Sequence, residues 1–500
     1  MDSLTGTLAR YLSSKLISQL VGAAIGFLRP RLLSPELFGI WTLLKLIPQY
    51  AVFADLGTRT ALRIFYPWHM ARGDLVQARE LVCGGILGAL LIDLLLASTL
   101  AAIALTGNWN DTMRFGLVAM ATVVVLQGLH HSFFAALKAS QRFDVIAHAT
   151  YVESAVLVLT TLLLLPILGL YGLFISLVLS ELTITLYLAR RVDIELKWSR
   201  RILRLTAGLI RRGWPIMSME LAMILVITTD RFVVSAMLDT TALGYYGVAL
   251  MIVSFLRNIP GTAREVLEPR LMADLADIER PTLLRRHLLQ PALNAAFLMP
   301  LMIGPVALAA PFVIDWLLPD YQPAAVPTQV LACGVYFLAL SLILRSAIVA
   351  FGRQSQAAAV MPLIVLTNVL IAWAMLQLGW GLAGVAAASG LAFLLLFLTL
   401  WRLLRRELEE SAANERRQLI WIWPLSGLTC LLIWLLPHLY REAGLLGTGL
   451  HILAFLGVFL LLHWLAQRSL SLLSPLPIAL LSGPLQSIRS ILERGMRRRR

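Results

Sequence analysis

The residues of this chain best placed to do chemistry are basic side chains inside apolar runs. Arg29 lies in the first run, Lys45 about two turns into the second, and Arg231 near the end of a later one. A charge at mid-span costs about 2.5–3.5 kcal/mol on insertion scales, so such a residue points to a wet cavity or an ion pair. Arg donates two parallel hydrogen bonds to a planar or tetrahedral oxyanion, and Lys acts as a point charge. The chemistry they suit is the holding of an acidic headgroup. Arg29 and Arg31 stand about 200° apart on a helix, so one faces a cavity and the other snorkels to the interface. For Arg29 and Lys45 the residues alone allow both a substrate-lining role and snorkelling.

Acidic residues form a second set. Glu220 and Arg231 are eleven positions apart, on one helix face but about 16 Å distant, so they cannot pair with each other. Asp230 lies about a quarter turn off that face, where a structural ion pair and a substrate contact are equally open. Asp93, Glu153 and Glu181 fall inside three further apolar runs. A carboxyl in a dry setting can take and release a proton, which makes these three candidates for ion or proton coupling; bonding a neighbouring helix is the plainer role. Asp55, Arg59 and Arg264 sit at span ends and are candidates for an inner gate. Arg345, one turn from an end, is expected to snorkel.

The elements that must position these residues are read from hydropathy. Mean hydropathy is +0.80 with 59% hydrophobic and 14% charged residues, far below the charged share of about 25% in soluble domains. A span needs about 20 apolar residues. Runs near 12–33, 39–56, 82–105, 114–136, 145–166, 170–189, 213–237, 242–260, 288–318, 326–350, 357–377, 381–401, 419–437 and 446–466 meet that length, about fourteen in all. The run 288–318 carries Pro291, Pro300, Pro305 and Pro311 and is expected to kink.

Lys and Arg crowd every second gap between these runs, as in Arg59 to Arg79, Arg190 to Arg212, Arg257 to Arg286 and Arg402 to Arg417. The intervening gaps hold Arg441 as their one basic residue. That alternation places the basic gaps and both termini in the cytoplasm. The formal charge of +14 then addresses anionic inner-leaflet lipids rather than nucleic acid. Residues 197–212 and the tail 470–500 look amphipathic and suited to lie on that leaflet. No cleavable signal pattern precedes the first run. Three cysteines, Cys83, Cys333 and Cys430, have neither metal nor redox spacing. Arg in large excess over Lys suits a GC-rich, bacterial genome.

The chain repeats. Leu33-Ser-Pro-Glu-Leu-Phe-Gly39 aligns with Leu238-Asp-Thr-Thr-Ala-Leu-Gly244, which brings Arg59 into register with Arg264, and Gly169-Leu-Tyr-Gly172 matches Gly381-Leu-Ala-Gly384. The fold class expected is an all-α polytopic membrane protein: two six-helix bundles related by a parallel repeat, plus two C-terminal helices. The bundles cover 1–196 and 197–410, the added helices 411–469, and the basic tail 470–500. Parallel repeats around a midplane site are a transporter architecture.

At these residues the chain resembles the polysaccharide-transport branch of the multidrug/oligosaccharidyl-lipid/polysaccharide exporter superfamily. Leu33 to Gly39 carries the resemblance, with Gly213-Trp-Pro-Ile, Thr229-Asp-Arg231, Leu243-Gly-Tyr-Tyr246 and Pro319-Asp-Tyr-Gln-Pro-Ala-Ala. It extends over roughly residues 5–410. Gly26-Phe-Leu-Arg29 and Leu43-Leu-Lys45-Leu are also similar to the first two spans of peptidoglycan-precursor flippases. The resemblance implies a bacterial inner-membrane flippase for undecaprenyl-diphosphate-linked oligosaccharides, working by alternating access and alongside a polysaccharide polymerase and glycosyltransferases. Arg29, Lys45, Glu220, Asp230 and Arg231 would line its substrate cavity. No cofactor, metal or catalytic residue is implied.

Other classes fit less well. A membrane sugar polymerase or ligase needs a sizeable outer loop, whereas every outer gap is short. A cation-coupled drug exporter would favour an acidic cavity. A scaffold would not need charges at membrane depth. Gly379-Trp-Gly381-Leu-Ala-Gly384 spells a dinucleotide fingerprint but has no strand before it. The eight histidines, including adjacent His130 and His131, show no metal spacing, and Asn110-Asp-Thr has no bearing in a bacterium.

Overall fold

The computed structural model describes residues 22, 25–71, 75–139, 142–192, 201–277, 279–405, 417–439, 444–470 and 473. The expected amphipathic stretch before Arg201 and almost all of the basic tail lie outside them. Among the described residues, eleven helices are long and apolar enough to cross a membrane. The chain is a multi-pass, all-helical membrane protein.

Three of the expected spans are not among the eleven. The first, 12–33, is described only from its last turns. The seventh lies within one long helix, Arg201–Met237 (α8), which runs unbroken from the basic stretch into the apolar one. The second, 39–56, is two short helices, Pro35–Leu44 (α1) and Leu46–Ala51 (α2), that meet at Lys45. Pro48 explains the break: it has no N–H for the Leu44 carbonyl, and its ring crowds that carbonyl. The chain then turns through residues 52–57, with positive φ at Leu56 and Gly57, before Thr58–Ala71 (α3) begins.

Next come Leu75–Thr106 (α4), Asp111–Ala139 (α5), Phe143–Leu168 (α6) and Leu170–Ala189 (α7). After α8 follow Thr240–Asp277 (α9), Arg280–Leu284 (α10), Gln290–Leu317 (α11), Ala325–Ala350 (α12), Gln354–Gln377 (α13) and Gly381–Leu403 (α14). Ile422–Leu439 (α15) and Leu445–Ser469 (α16) close the order. The expected kinking of 288–318 takes a local form. A π turn over Arg285–Leu289 precedes α11, and α11 then continues as one helix through Pro300, Pro305 and Pro311. The wide turn falls just before Pro291, where it offers room for a ring that an ordinary turn would crowd. Between α13 and α14, Gly379 and Gly381 have φ of 80° and 53°, which makes that glycine cluster a helix–helix turn.

Two compact units emerge. The first comprises Met1–Phe255, Ala310–Val335 and Phe351–Thr399; the second comprises Leu256–Ala309, Tyr336–Ala350 and Leu400–Arg500. In the first, Leu62, Ile86, Ala149, Ile184 and Leu188 form part of a core from α3, α4, α6 and α7. In the second, Phe297 packs against Trp421 and His463, and the Tyr336 hydroxyl donates to the Ile422 carbonyl at 3.0 Å.

The two copies of the repeated motif meet inside the first unit. Ser34 caps α1 by accepting from the Leu37 N–H at 3.4 Å, and Asp239, its repeat partner, caps α9 by accepting from Ala242 at 2.6 Å. A Cβ on Gly39 would stand 1.7 Å from the Thr240 carbonyl oxygen, and one on Gly244 would stand 1.8 Å from that of Pro35. In repeat register these contacts are the same contact seen from each side, so a local two-fold relates the crossing helices. Tyr321, on the 3-10 turn Pro319–Ala324, seals it. Its hydroxyl donates to the Leu33 carbonyl at 2.9 Å, and its ring stands edge-on to both Phe38 and Tyr245.

Candidate functional site

Below that crossing lies a cavity of about 220 Å³ in the first unit. Lys45 stands at the junction of α1 and α2 with φ and ψ of −67° and −14°, still helical, and its side chain lines this space. Arg29 from the helix over residues 25–32, Lys45, and Arg231 from α8 all line it, together with Trp41, Thr42 and Gln49. Among the described residues, no carboxylate lines this cavity. Trp41 is buried, and its ring has the Arg29 guanidinium carbon at 5.2 Å and the Lys45 ammonium at 5.4 Å from its centroid. Both cations therefore share one aromatic surface. Arg231 donates weakly to the Gln49 side-chain carbonyl at 3.4 Å. Arg29 Nε is buried without a hydrogen-bond acceptor. Three cations, a free guanidinium N–H and two neutral polar groups give a wall that can hold an oxyanion of two or more charges.

The sequence brought these three cations forward, and the structure gathers them. The other expected lining residues stand elsewhere. Asp230 is buried and accepts from the Tyr246 hydroxyl at 2.8 Å and from the Arg231 N–H at 2.8 Å. A step of about 100° separates neighbours on a helix, so Arg231 reaches the cavity while Asp230 turns into the helix packing. Glu220 is half-buried on α8 and does not line the cavity.

The three expected gate residues are divided. Asp55 caps α3, accepting from the Thr58 hydroxyl at 2.9 Å and the Arg59 N–H at 2.7 Å. Arg59 points to Asp93, with Nη2 at 2.5 Å from the carboxylate, and its Nε donates to the Ser132 hydroxyl at 3.0 Å. Both members of this ion pair are buried. The side chain of Arg264 lies outside the described residues. Asp93, expected as a coupling acid, is therefore the counter-ion of Arg59. Of the other two coupling candidates, Glu181 bonds His130 Nδ1 at 2.9 Å, and Glu153 is half-buried on α6 within electrostatic reach of both. Arg345 is buried rather than snorkelling. Asn110 caps α5 through the Met113 N–H at 2.8 Å.

Sequence reasoning passed over Trp41, Gln49 and His130. His130 has no metal spacing, and its signal is different: an imidazole deep in an apolar run needs a polar partner from another helix. Which helix supplies it depends on the rotation of α5 against α7. Trp41 and Gln49 lie one turn before and one turn after Lys45, and that four-residue spacing sets all three on one helix face.

A family model described as polysaccharide biosynthesis protein matches residues 30–327. No curated protein matches the chain. Among solved structures, the chain is similar to the lipid II flippase MurJ in an inward closed conformation. Identity there is 13% and the TM-score 0.69, covering 91% of this chain and 98% of that one. It is also similar to a multidrug resistance MATE family transporter of the MOP superfamily in an inward-facing conformation, at 15% identity and TM-score 0.65, covering 81% and 99%. A third likeness is to the MATE transporter ClbM in complex with Rb+, at 16% identity and TM-score 0.53, covering 84% and 97%. At these identities the likeness is one of fold.

Proposed function

The chain belongs to the polysaccharide biosynthesis protein family, and from that premise we propose that it is a flippase for oligosaccharides linked to undecaprenyl diphosphate in the bacterial inner membrane. The observation that carries this reading is the cavity wall of Arg29, Lys45 and Arg231 with no carboxylate among its described lining residues. A lipid-linked diphosphate brings two negative charges that hydrocarbon rejects. Guanidinium groups replace its lost hydration with fork-like hydrogen bonds, and the ammonium adds a point charge. The cavity suits the diphosphate in size. In this reading the sugars keep to water beside the cavity, and the isoprenoid tail stays in lipid. A fold shared with a lipid II flippase and with exporters is consistent with such a path.

In this reading the bundles 1–196 and 197–410 rock about the cavity, with 411–469 and the basic tail 470–500 as additions. The Ser34 end faces out and both termini face the cytoplasm, by the charge alternation. Asp55, Arg59 and Arg264 would act at the inner end. A polysaccharide polymerase and glycosyltransferases supply and consume the cargo, and the protein itself makes and breaks no covalent bond. The drug-exporter alternative calls for acids facing a cationic cargo, which the cavity wall does not offer.

The test is deletion of the gene followed by mass spectrometry of isoprenoid-linked glycans. Full-length repeat units should accumulate on the inner leaflet, and expression of Arg29→Ala or Lys45→Ala should fail to clear them while inserting normally. Truncated glycans would point to an enzyme instead. Normal export by both variants would remove these residues from the site.

A further inference from the structure

Near the cavity lies a buried acid–base pair that is not among the residues lining it. His130 on α5 and Glu181 on α7 are bonded at 2.9 Å, each about 5% exposed. Glu153 on α6 stands near enough to feel both charges. On the pair's other side, Glu181 acts electrostatically on Lys45, which also feels Arg29. His131 packs beside His130 at 4.4 Å between ring centroids, and Arg59 and Lys138 act on it in turn. So the charges facing the pair are Glu153 from α6, His131 from its own helix, Lys45 from the α1–α2 junction and Arg59 from α3. The cavity holds its cations in front, and the Glu181 carboxylate acts on one of them from behind.

We propose that His130 and Glu181, with Glu153, form a proton-binding site linked to anion binding in the cavity. The inference rests on the cavity reading above and adds a second ligand, the proton. His130 and Glu181 sharing one proton are net neutral, whichever atom carries it. A second proton, taken from water onto the carboxylate or the imidazole, leaves the pair at +1. With the cavity empty, that charge is opposed by Lys45 and Arg29. With an acidic headgroup bound, the headgroup offsets it. Anion and proton therefore favour one another, and linkage makes the effect reciprocal: the anion draws a proton in, and acid tightens the anion. A proton that enters with the headgroup also removes one unit of negative charge from what crosses the bilayer.

The test uses purified full-length protein and methanedisulfonate, a permanently doubly charged anion that does not itself titrate near neutral pH. Proton uptake on binding is read from a pH dye in weak buffer, and affinity from calorimetry across pH 5.5–8.5. Because Lys45 can itself take up a proton, both are repeated in Lys45→Arg, whose guanidinium keeps the charge without titrating. The expected result is uptake approaching one proton per anion, in both backgrounds, with affinity rising up to about tenfold per pH unit lowered where uptake is complete. In Glu181→Gln, or in His130→Gln should the first misfold, uptake should fall by half or more while the anion still binds. If wild type binds no disulfonate, the cavity reading fails and takes the linkage with it. If it binds and both variants take up as many protons as wild type, the linkage alone is wrong.

Discussion

Replacing Gly39 by alanine tests how the Ser34 end of the molecule is held shut. The new methyl carbon would lie 1.7 Å from the Thr240 carbonyl oxygen, 2.8 Å from its carbon and 3.0 Å from the Gly244 nitrogen. All three are backbone atoms, so no side chain can swing away. Bringing the shortest contact to a bearable 3.0 Å needs the helices to part by about 1.3 Å. Overpacking of this kind costs about 1–3 kcal/mol. The cost falls only on the arrangement in which the helices touch, so it shifts the balance toward a parted arrangement by roughly 5- to 150-fold. Gly244→Ala presses on the Pro35 oxygen across the same local two-fold and should do the same. The double variant should add little, because one parting relieves both contacts. The readout is the rate at which a membrane-impermeant maleimide, added to intact cells, labels Thr42→Cys on the cavity wall. The native Cys83, Cys333 and Cys430 are replaced first. Labelling within twofold of the glycine parent, in protein that inserts and melts normally, would refute the idea that this crossing closes the path.

Two further outcomes follow from neighbouring contacts. Tyr321→Phe keeps both edge-on ring contacts and loses only the hydroxyl bond to the Leu33 carbonyl, worth about 1 kcal/mol, so the same labelling rate should rise about fivefold. Gly128→Ala places a methyl 2.0 Å from the Asp93 carboxylate oxygen and 3.1 Å from Arg59 Nη2. Disrupting a buried ion pair in this way should cost about 3–5 kcal/mol, seen as a lower melting temperature in detergent, and Asp93→Asn should then cost much less than it does in wild type.

How far the sequence reached depends on whether a feature is local or between helices. The repeat was legible because Leu33 to Gly39 and Leu238 to Gly244 keep small, capping and apolar residues in the same order. The structure turns that likeness into a contact, which no alignment shows. Arg29, Lys45 and Arg231 stood out because charge inside hydrocarbon is expensive wherever it occurs. Pro48 was visible too, but its consequence, a helix cut at Lys45, was masked by the apolar run around it. The partners of Arg59 and His130 were out of reach. Each pairing is fixed by the azimuth of one helix against another, and apolar residues on every side leave the hydrophobic pattern without a phase. Asp230 shows the same limit in miniature, since one residue of offset separates cavity from packing.

The cation-rich wall has a consequence for the idle protein. With Lys45 protonated, three positive groups face one small space and repel each other. Small mobile anions or the phosphates of ordinary anionic phospholipids will therefore settle there between turnovers. The cargo then arrives as a competitor rather than a first occupant, and turnover should slow as the share of anionic phospholipid in the surrounding leaflet rises.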